Sequence, residues 1–247
     1  MEGHLERLRQ AEFQAVRRWL APGTRVLELG GGSGYQARLL ADHGCAVTSL
    51  DLPGRPQPQE SLYPVLEYDG HHIPFADASF DVIFSSNVLE HVGHLPAFLA
   101  EQRRVLAPGG LAIHLLPSAS WRFWTYATHY VYLAKCLLGV QRPVPGMIAV
   151  TSPAQAISKR GLRTALQRAL FDGPHGEYPN APAELYYFSR FRWSRLFKAH
   201  GFRIRAATSN HLFYTGYALF PGLSIPHRQH LSRILGASCH LFVLAPS

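Results

Sequence analysis

Glu28 stands two residues before a glycine cluster, in Val26-Leu27-Glu28-Leu29-Gly30-Gly31-Gly32-Ser33-Gly34-Tyr35, and its charge constrains the ligand that the cluster can receive. A glycine turn that opens a helix ordinarily takes a phosphate, because unsatisfied N–H groups and the positive end of the dipole meet there. A carboxylate aimed into the same turn repels a pyrophosphate and attracts an ammonium or sulfonium. The spacing agrees: Gly30, Gly32 and Gly34 read G-x-G-x-G, where the dinucleotide fingerprint is G-x-G-x-x-G. A second acid, Asp51, ends the run Ala46-Val47-Thr48-Ser49-Leu50-Asp51, about 20 residues on, where a carboxylate can accept both hydroxyls of a ribose. Leu52, Tyr68-Asp69-Gly70 and Ser85-Ser86-Asn87-Val88-Leu89-Glu90-His91 follow.

The elements that must position these groups can be read from hydropathy. An apolar run that breaks into glycines and then into Gln36-Ala37-Arg38-Leu39-Leu40 is a strand, a tight turn and a helix. Residues 46–51 and 79–86 read as further buried strands, and Leu111–Ser118 as another. Ahead of them, the segment from Met1 through Trp19-Leu20 is an amphipathic helix ended by Ala21-Pro22-Gly23, predicted to pack on the first strand or to cover the ligand.

In its motifs and their order the chain resembles the class I S-adenosylmethionine-dependent methyltransferases, specifically the type-11 group of small-molecule enzymes. The resemblance implies a Rossmann-like α/β fold, a seven-stranded, mostly parallel sheet with helices on both faces, and S-adenosyl-L-methionine as cofactor. In the family, residues matching Glu28, Gly30, Gly31, Gly32 and Gly34 border the methionine end of the cofactor. Those matching Asp51 hold the ribose, those matching Asp69 and Gly70 lie at the adenine, and Ser85-Ser86-Asn87 passes under the methionine and the reacting methyl; Leu52, next to Asp51, is expected among the cofactor-binding residues. Arg104-Val105-Leu106-Ala107-Pro108-Gly109-Gly110 before the fifth strand and Trp193–Phe202 before the sixth extend the match.

The composition fits one domain, residues 1–247, carrying an insertion. With 47% hydrophobic residues the chain can bury a sizeable core. Cys45, Cys136 and Cys239 have no metal-ligand spacing and cannot all pair, so neither a metal site nor a disulfide framework is expected. Acids and the absence of an apolar stretch in Met1–Leu8 argue against a signal peptide, which makes the cytoplasm the expected location. The net charge of +8 calls for an anionic partner without choosing one. Clusters at Arg160, Arg163 and Arg168 and at Arg190, Arg192 and Arg195 suit solvated helix faces, and no nucleic-acid-binding module is visible.

The core pattern pauses after Ser118 and resumes near Phe191, leaving residues 119–190 as an inserted, largely helical lid or acceptor-binding segment. Its first part, Trp121 to Gly139, is apolar and aromatic around most of a helix, with Arg122, Thr125 and His129 as a narrow polar stripe. Arg122, His129 and Lys135 argue against a bilayer span. Trp121, Trp124 and Tyr130 instead suit an acceptor channel or a peripheral contact with the inner membrane face through residues 121–139. Its second part, Asp172 to Arg190, places His175 and Glu177 beside the active-site mouth. The insertion loosely resembles segments of methyltransferases of bacterial cell-surface glycan or lipid-linked assembly.

Methyl transfer from a sulfonium needs alignment above all, and a base only when the acceptor must lose a proton. His91 is the first candidate base, with His129, His175 and Glu177 behind it. The expected acceptor is an O or N atom of a small-molecule or lipid- or glycan-linked compound. An RNA or protein methyltransferase, or a cofactor-binding partner without catalysis, is the alternative.

Overall fold

The structure, a computed structural model, describes residues 2–54, 61–138, 175–178, 180–217 and 221–247. The middle of the insertion, with Arg160, Arg163, Arg168 and Asp172-Gly173-Pro174, lies outside the described residues.

Seven strands form one sheet: β1 (Arg25–Leu29), β2 (Ala46–Asp51), β3 (Val65–Glu67), β4 (Phe80–Ser86), β5 (Leu106–Pro117), β6 (Phe202–Ser209) and β7 (Cys239–Pro246). Their spatial order is β3-β2-β1-β4-β5-β7-β6. All neighbours run parallel except β7, which is antiparallel to both β5 and β6. This is the Rossmann-like class I methyltransferase fold expected from the motifs. The chain steps from β1 outward to β2 and β3, then returns to lay β4 on the other side of β1. A crevice opens at such a reversal, beyond the carboxyl ends of the two central strands.

Burial on both faces explains why β1 and β4 read as nearly unbroken apolar runs. Period-two alternation sends Val26, Val82, Phe84, Ile113 and Val243 to one face, where they pack with Val16 of α1 (Glu2–Val16) and Leu40 of α2 (Tyr35–Asp42). Leu27, Leu29, Ile83, Ala112 and Phe242 face the other way, against Phe98 of α3 (Leu95–Val105) and Trp193 and Phe197 of α6 (Arg190–Ala199). Glu28 therefore shares the face of Val26, beneath α1.

The described insertion comprises α4 (Ala119–Leu137), a loop at residues 175–178, and α5 (Ala181–Tyr187), which Asn180 caps by accepting from Ala183 N at 2.9 Å. The polar stripe of α4 turns inward: Arg122, Thr125 and His129 are 2%, 5% and 1% exposed, whereas Phe123, Tyr130 and Val131 lie open at 52%, 44% and 46%. Partners on other elements hold it there. Arg122 Nε meets Glu184 Oε2 of α5 at 2.6 Å, Thr125 Oγ1 accepts from Gly216 N at 3.0 Å, and His129 Nδ1 shares a 2.6 Å hydrogen bond with the Tyr217 hydroxyl. Trp121, Trp124 and Tyr130 do not share one surface. Trp121 is buried, Trp124 donates to Leu235 O of α7 (Ile225–Leu235) at 3.0 Å, and Tyr130 faces outward. No helix among the described residues is long and apolar enough to cross a membrane.

Removing one partner of a buried ion pair leaves an uncompensated charge. Arg122→Ala should lower the unfolding free energy by about 3–5 kcal/mol, measured from urea midpoints, whereas Phe123→Ser on the outward face of the same helix should stay within about 0.5 kcal/mol.

Candidate active site

The crevice, about 530 Å³, is bounded by Gly30–Ser33 after β1, by Ser86, Asn87 and Val88 at the end of β4, and by Leu5, Glu6 and Arg9 of α1. It is large enough for a nucleoside-sized ligand. Close approach dictates the glycines: a Cβ on Gly31 would lie 2.1 Å from Ser49 Oγ, while one on Gly32, at φ +53°, would project into open space. The first three amides of the turn are already engaged. Gly30 N and Gly31 N donate to Leu50 O at 2.8 and 3.0 Å, and Gly32 N donates to Asp51 Oδ2 at 2.8 Å. These amides are committed to the protein, so they do not form the phosphate cradle of a dinucleotide site.

Glu28 is 1% exposed and sits one layer below the turn, outside the crevice lining, where Ser49 Oγ donates to its Oε2 at 2.6 Å. Burial pushes its pKa up to about 7; the Ser49 hydrogen bond and nearby Arg9 oppose the rise and Asp51 adds to it. Its charge can act on a ligand through the turn, without contact. Asp51 is also buried, one oxygen on Gly32 N and the other accepting from Leu52 N at 2.7 Å. Leu52 packs over Gly70, whose φ is +78°. Asp69 Oδ1 accepts from His71 N and His72 N, both at 2.8 Å, and these bonds hold its pKa below the usual range. Asp51, Leu52, Asp69 and Gly70 lie outside the residues that bound the crevice itself.

Sequence reasoning missed Arg9. Its Nη1 donates to Ser86 Oγ at 2.9 Å and to Glu12 Oε2 at 2.8 Å, and the Asn87 amide, turned to satisfy both its ends, accepts from Arg9 Nη1 at 2.8 Å. Burial opposes the guanidinium charge, but the Glu12 carboxylate outweighs it and raises the pKa. Glu12, wholly buried, also accepts from Asn210 Nδ2 at 3.0 Å and from the Tyr214 hydroxyl at 2.7 Å. A signal was present: Glu12 falls midway between Leu8 and Val16 on the apolar stripe of α1, where a lone acid requires partners.

Beyond Val88 the chain forms a short 3-10 turn, Leu89–His91, and the 175–178 loop docks on it. Glu177 N donates to Glu90 O at 3.0 Å, while His175 N and Gly176 N donate to Glu184 Oε1 at 2.6 and 2.8 Å. The rings of His91 and His175 meet edge to face at 4.9 Å, with Trp121 4.7 Å from His175. Thus two candidate histidines from distant parts of the chain come together. Glu177 is exposed beside them, and His129 is buried on Tyr217, outside the crevice lining. Glu90, which sequence reasoning passed over, is 1% exposed, with its pKa pushed by burial up to about 8.

A family model described as a methyltransferase domain matches residues 1–207. The chain belongs to that methyltransferase family. Over 96 residues it is 38% identical to a malonyl-[acyl-carrier protein] O-methyltransferase of Serratia marcescens, covering 37% of this chain and 38% of that protein. Over 112 residues it is 35% identical to a glycine/sarcosine/dimethylglycine N-methyltransferase of Actinopolyspora halophila, covering 41% of this chain and 20% of that protein. The chain thus spans well under half the length of these curated relatives. An S-adenosylmethionine-dependent methyltransferase structure from Mesorhizobium loti superposes with a TM-score of 0.54 at 20% identity, over 95% of this chain and 97% of that one. A 1,6-didemethyltoxoflavin-N1-methyltransferase from Burkholderia thailandensis, with S-adenosylhomocysteine bound, gives 0.52 at 15% identity, over 97% and 78%. At these identities the structural likeness is one of fold.

S-adenosyl-L-methionine is the cofactor of this methyltransferase family, and the crevice fits it: the volume suits a nucleoside, Gly32 leaves open space, Arg9 brings a cation and Glu28 an acid nearby. Asp51→Ala should weaken S-adenosylmethionine binding by about 1.5–3 kcal/mol, as measured by calorimetry; unchanged affinity in a folded variant would remove Asp51 from the ribose site. Glu28 gives a pH test. Its folded pKa, about 7, exceeds the ordinary 4.5, so the folded state holds its proton longer and stability falls as pH rises between those values. Glu28→Gln should flatten that fall and stabilise the apoprotein at pH 8 on the order of a few kcal/mol, while weakening S-adenosylmethionine binding. Parallel pH profiles for both proteins would refute the buried-acid account.

Proposed function

We propose that the protein transfers a methyl group from S-adenosylmethionine to an O or N atom of a small-molecule or lipid- or glycan-linked acceptor. One observation carries the proposal: the crevice wall Ser86-Asn87-Val88 runs directly into Glu90 and His91, against which the insertion loop presents His175. A donor crevice and a cluster of proton-accepting groups are thereby contiguous.

S-adenosylmethionine supplies a methyl group already activated by its sulfonium, so the work of the chain is alignment. In this reading Asp51 accepts from the ribose, with Leu52, Asp69 and Gly70 toward the adenine. Arg9 meets the methionine carboxylate in a charge-assisted pair, and Ser86 and Asn87 lie under the methyl. Helix α1 excludes water from above. The acceptor enters between the 3-10 turn and the insertion, and its proton leaves at the cluster of Glu90, His91 and His175.

An apolar cavity of about 350 Å³, walled by Trp124, Phe213, Leu231 and Leu235, supports a lipid-linked class of acceptor. Its wall includes His4, the residue before Leu5 of the crevice, so α1 borders both spaces. The outward Phe123, Tyr130 and Val131 suit a protein that works in the cytoplasm and rests on the inner membrane face. Nucleic acid is disfavoured by where the arginines gather among the described residues. Arg103, Arg104, Arg203 and Arg205 line a groove with Leu106 and Ala107 at the start of β5, the end of the sheet opposite the crevice. Arg192 is stacked on Tyr187 and Trp193, at 5.5 and 4.9 Å.

The test is incubation with methyl-labelled S-adenosylmethionine and a cell extract, followed by fractionation. Label is expected in the lipid or small-molecule fraction; label confined to RNA or protein would overturn the acceptor class, and cofactor binding without label anywhere would favour a non-catalytic partner. With the acceptor identified, His91→Ala should reduce kcat by roughly 10²–10⁴-fold with little change in cofactor affinity. Turnover within a few-fold of wild type would return His91 to a packing role.

A further inference from the structure

We propose that Glu90, His91 and His175 form a binding site for a divalent transition-metal ion, with one coordination position open toward the acceptor. The absence of paired cysteines had argued against any metal, but this donor set contains none. One carboxylate oxygen and two imidazole nitrogens all lie within 4.8 Å of one another. Ligand atoms around a tetrahedral ion at about 2.0–2.2 Å sit about 3.5 Å apart, so a modest rotation of the two exposed imidazole rings would close the site.

Two independent features point to a cation. The Glu90 carboxylate is 1% exposed, yet among the described residues neither oxygen has a side-chain hydrogen-bond partner, and His91 Nε2 is 3.8 Å away. A carboxylate withdrawn from water without compensation is unfavourable, and buried charges are characteristically paired or bound to metals. The second feature is how firmly His175 is delivered. Buried Arg122 holds buried Glu184, Glu184 accepts two backbone amides of the loop, and Gly176 packs so closely that a Cβ would lie 2.4 Å from Glu90 O. The contact of Trp121 with the imidazole ring adds to the restraint. A buried ion pair on two inserted helices thus sets the position of one half-open histidine.

The chemistry of the donors selects the ion. Mixed nitrogen and oxygen ligands suit Zn²⁺ or Co²⁺ over Mg²⁺ and Ca²⁺, which favour oxygen. Three protein ligands leave a fourth position, the arrangement of catalytic zinc sites. An acceptor hydroxyl held there would stand beside the crevice wall; Lewis-acid polarisation would lower its pKa, and with all three side chains engaged on the ion its proton would pass to solvent water at the exposed side of the cluster. This role rests on the methyl-transfer reading; ion binding itself does not.

The experiment uses tag-free protein dialysed against chelator. Titration with Co²⁺, followed by visible absorption, and with Zn²⁺, followed by calorimetry, should show one equivalent bound at micromolar affinity or better. Glu90→Gln, His91→Ala and His175→Ala should each weaken binding by at least about 10-fold, with melting curves confirming the fold, while His227→Ala, on distant α7, should bind as wild type. No stoichiometric binding of either ion, or binding unaffected by any of the three ligand substitutions, would overturn the site. Methyl transfer undiminished in metal-stripped protein would overturn the metal's role at the acceptor and leave the activity standing. Metal binding with no methyl transfer to any fraction would do the reverse.

Discussion

Four glutamates, Glu12, Glu28, Glu90 and Glu184, are each 1% exposed or less, and a carboxylate taken from water must acquire a cation, donors or a proton. Each solves the problem differently, and each solution positions part of the site. Glu12 takes Arg9, Asn210 and Tyr214, which fastens α1 over the sheet and leaves Arg9 at the crevice. Glu184 takes Arg122 and two loop amides, which fastens the insertion. Glu28 takes one hydroxyl and, near neutral pH, shares its time with a proton. Glu90 alone among these four has no side-chain hydrogen-bond partner for either oxygen among the described residues.

These arrangements divide the molecule into a frame and a fitted piece. The frame is the doubly wound sheet, whose apolar faces are filled by helices on both sides; most of the stability comes from that burial. The insertion adds a polar interface: α4 turns Arg122, Thr125 and His129 inward beside the buried rings of Trp121 and Tyr132 and leaves Phe123, Tyr130 and Val131 outside. Such a helix has unused apolar surface, as a helix bordering a lipid or an acceptor would.

The tension between stability and function is sharpest at Glu28 and Glu90. Burying an acid whose charge is opposed by its surroundings costs folding free energy at neutral and higher pH. Sites of this kind persist where a ligand supplies the missing charge. A cationic methionine end above the glycine turn would do so for Glu28, and a divalent ion for Glu90.

Local pattern alone determined much of this protein. Period-two apolar runs, glycines at positive φ and acids at strand ends are set within a few residues of one another, so the strand-turn-helix at residues 25–42, the crevice residues Gly30–Gly32 with Ser86 and Asn87, and the break after Ser118 were legible from the chain. Tertiary structure decided the partners. Tyr214 is 202 residues from Glu12, Asn210 is 198, and His175 meets His91 through a loop held by Glu184 and by Glu90 O. Arg9 carried no motif, and the polar stripe of α4 could be seen without its direction, because periodicity reports a face without saying what covers it. Apart from Arg9 and Glu12, which stand three apart on α1, which buried charge meets which counter-charge is a property of packed elements that sequence spacing does not encode.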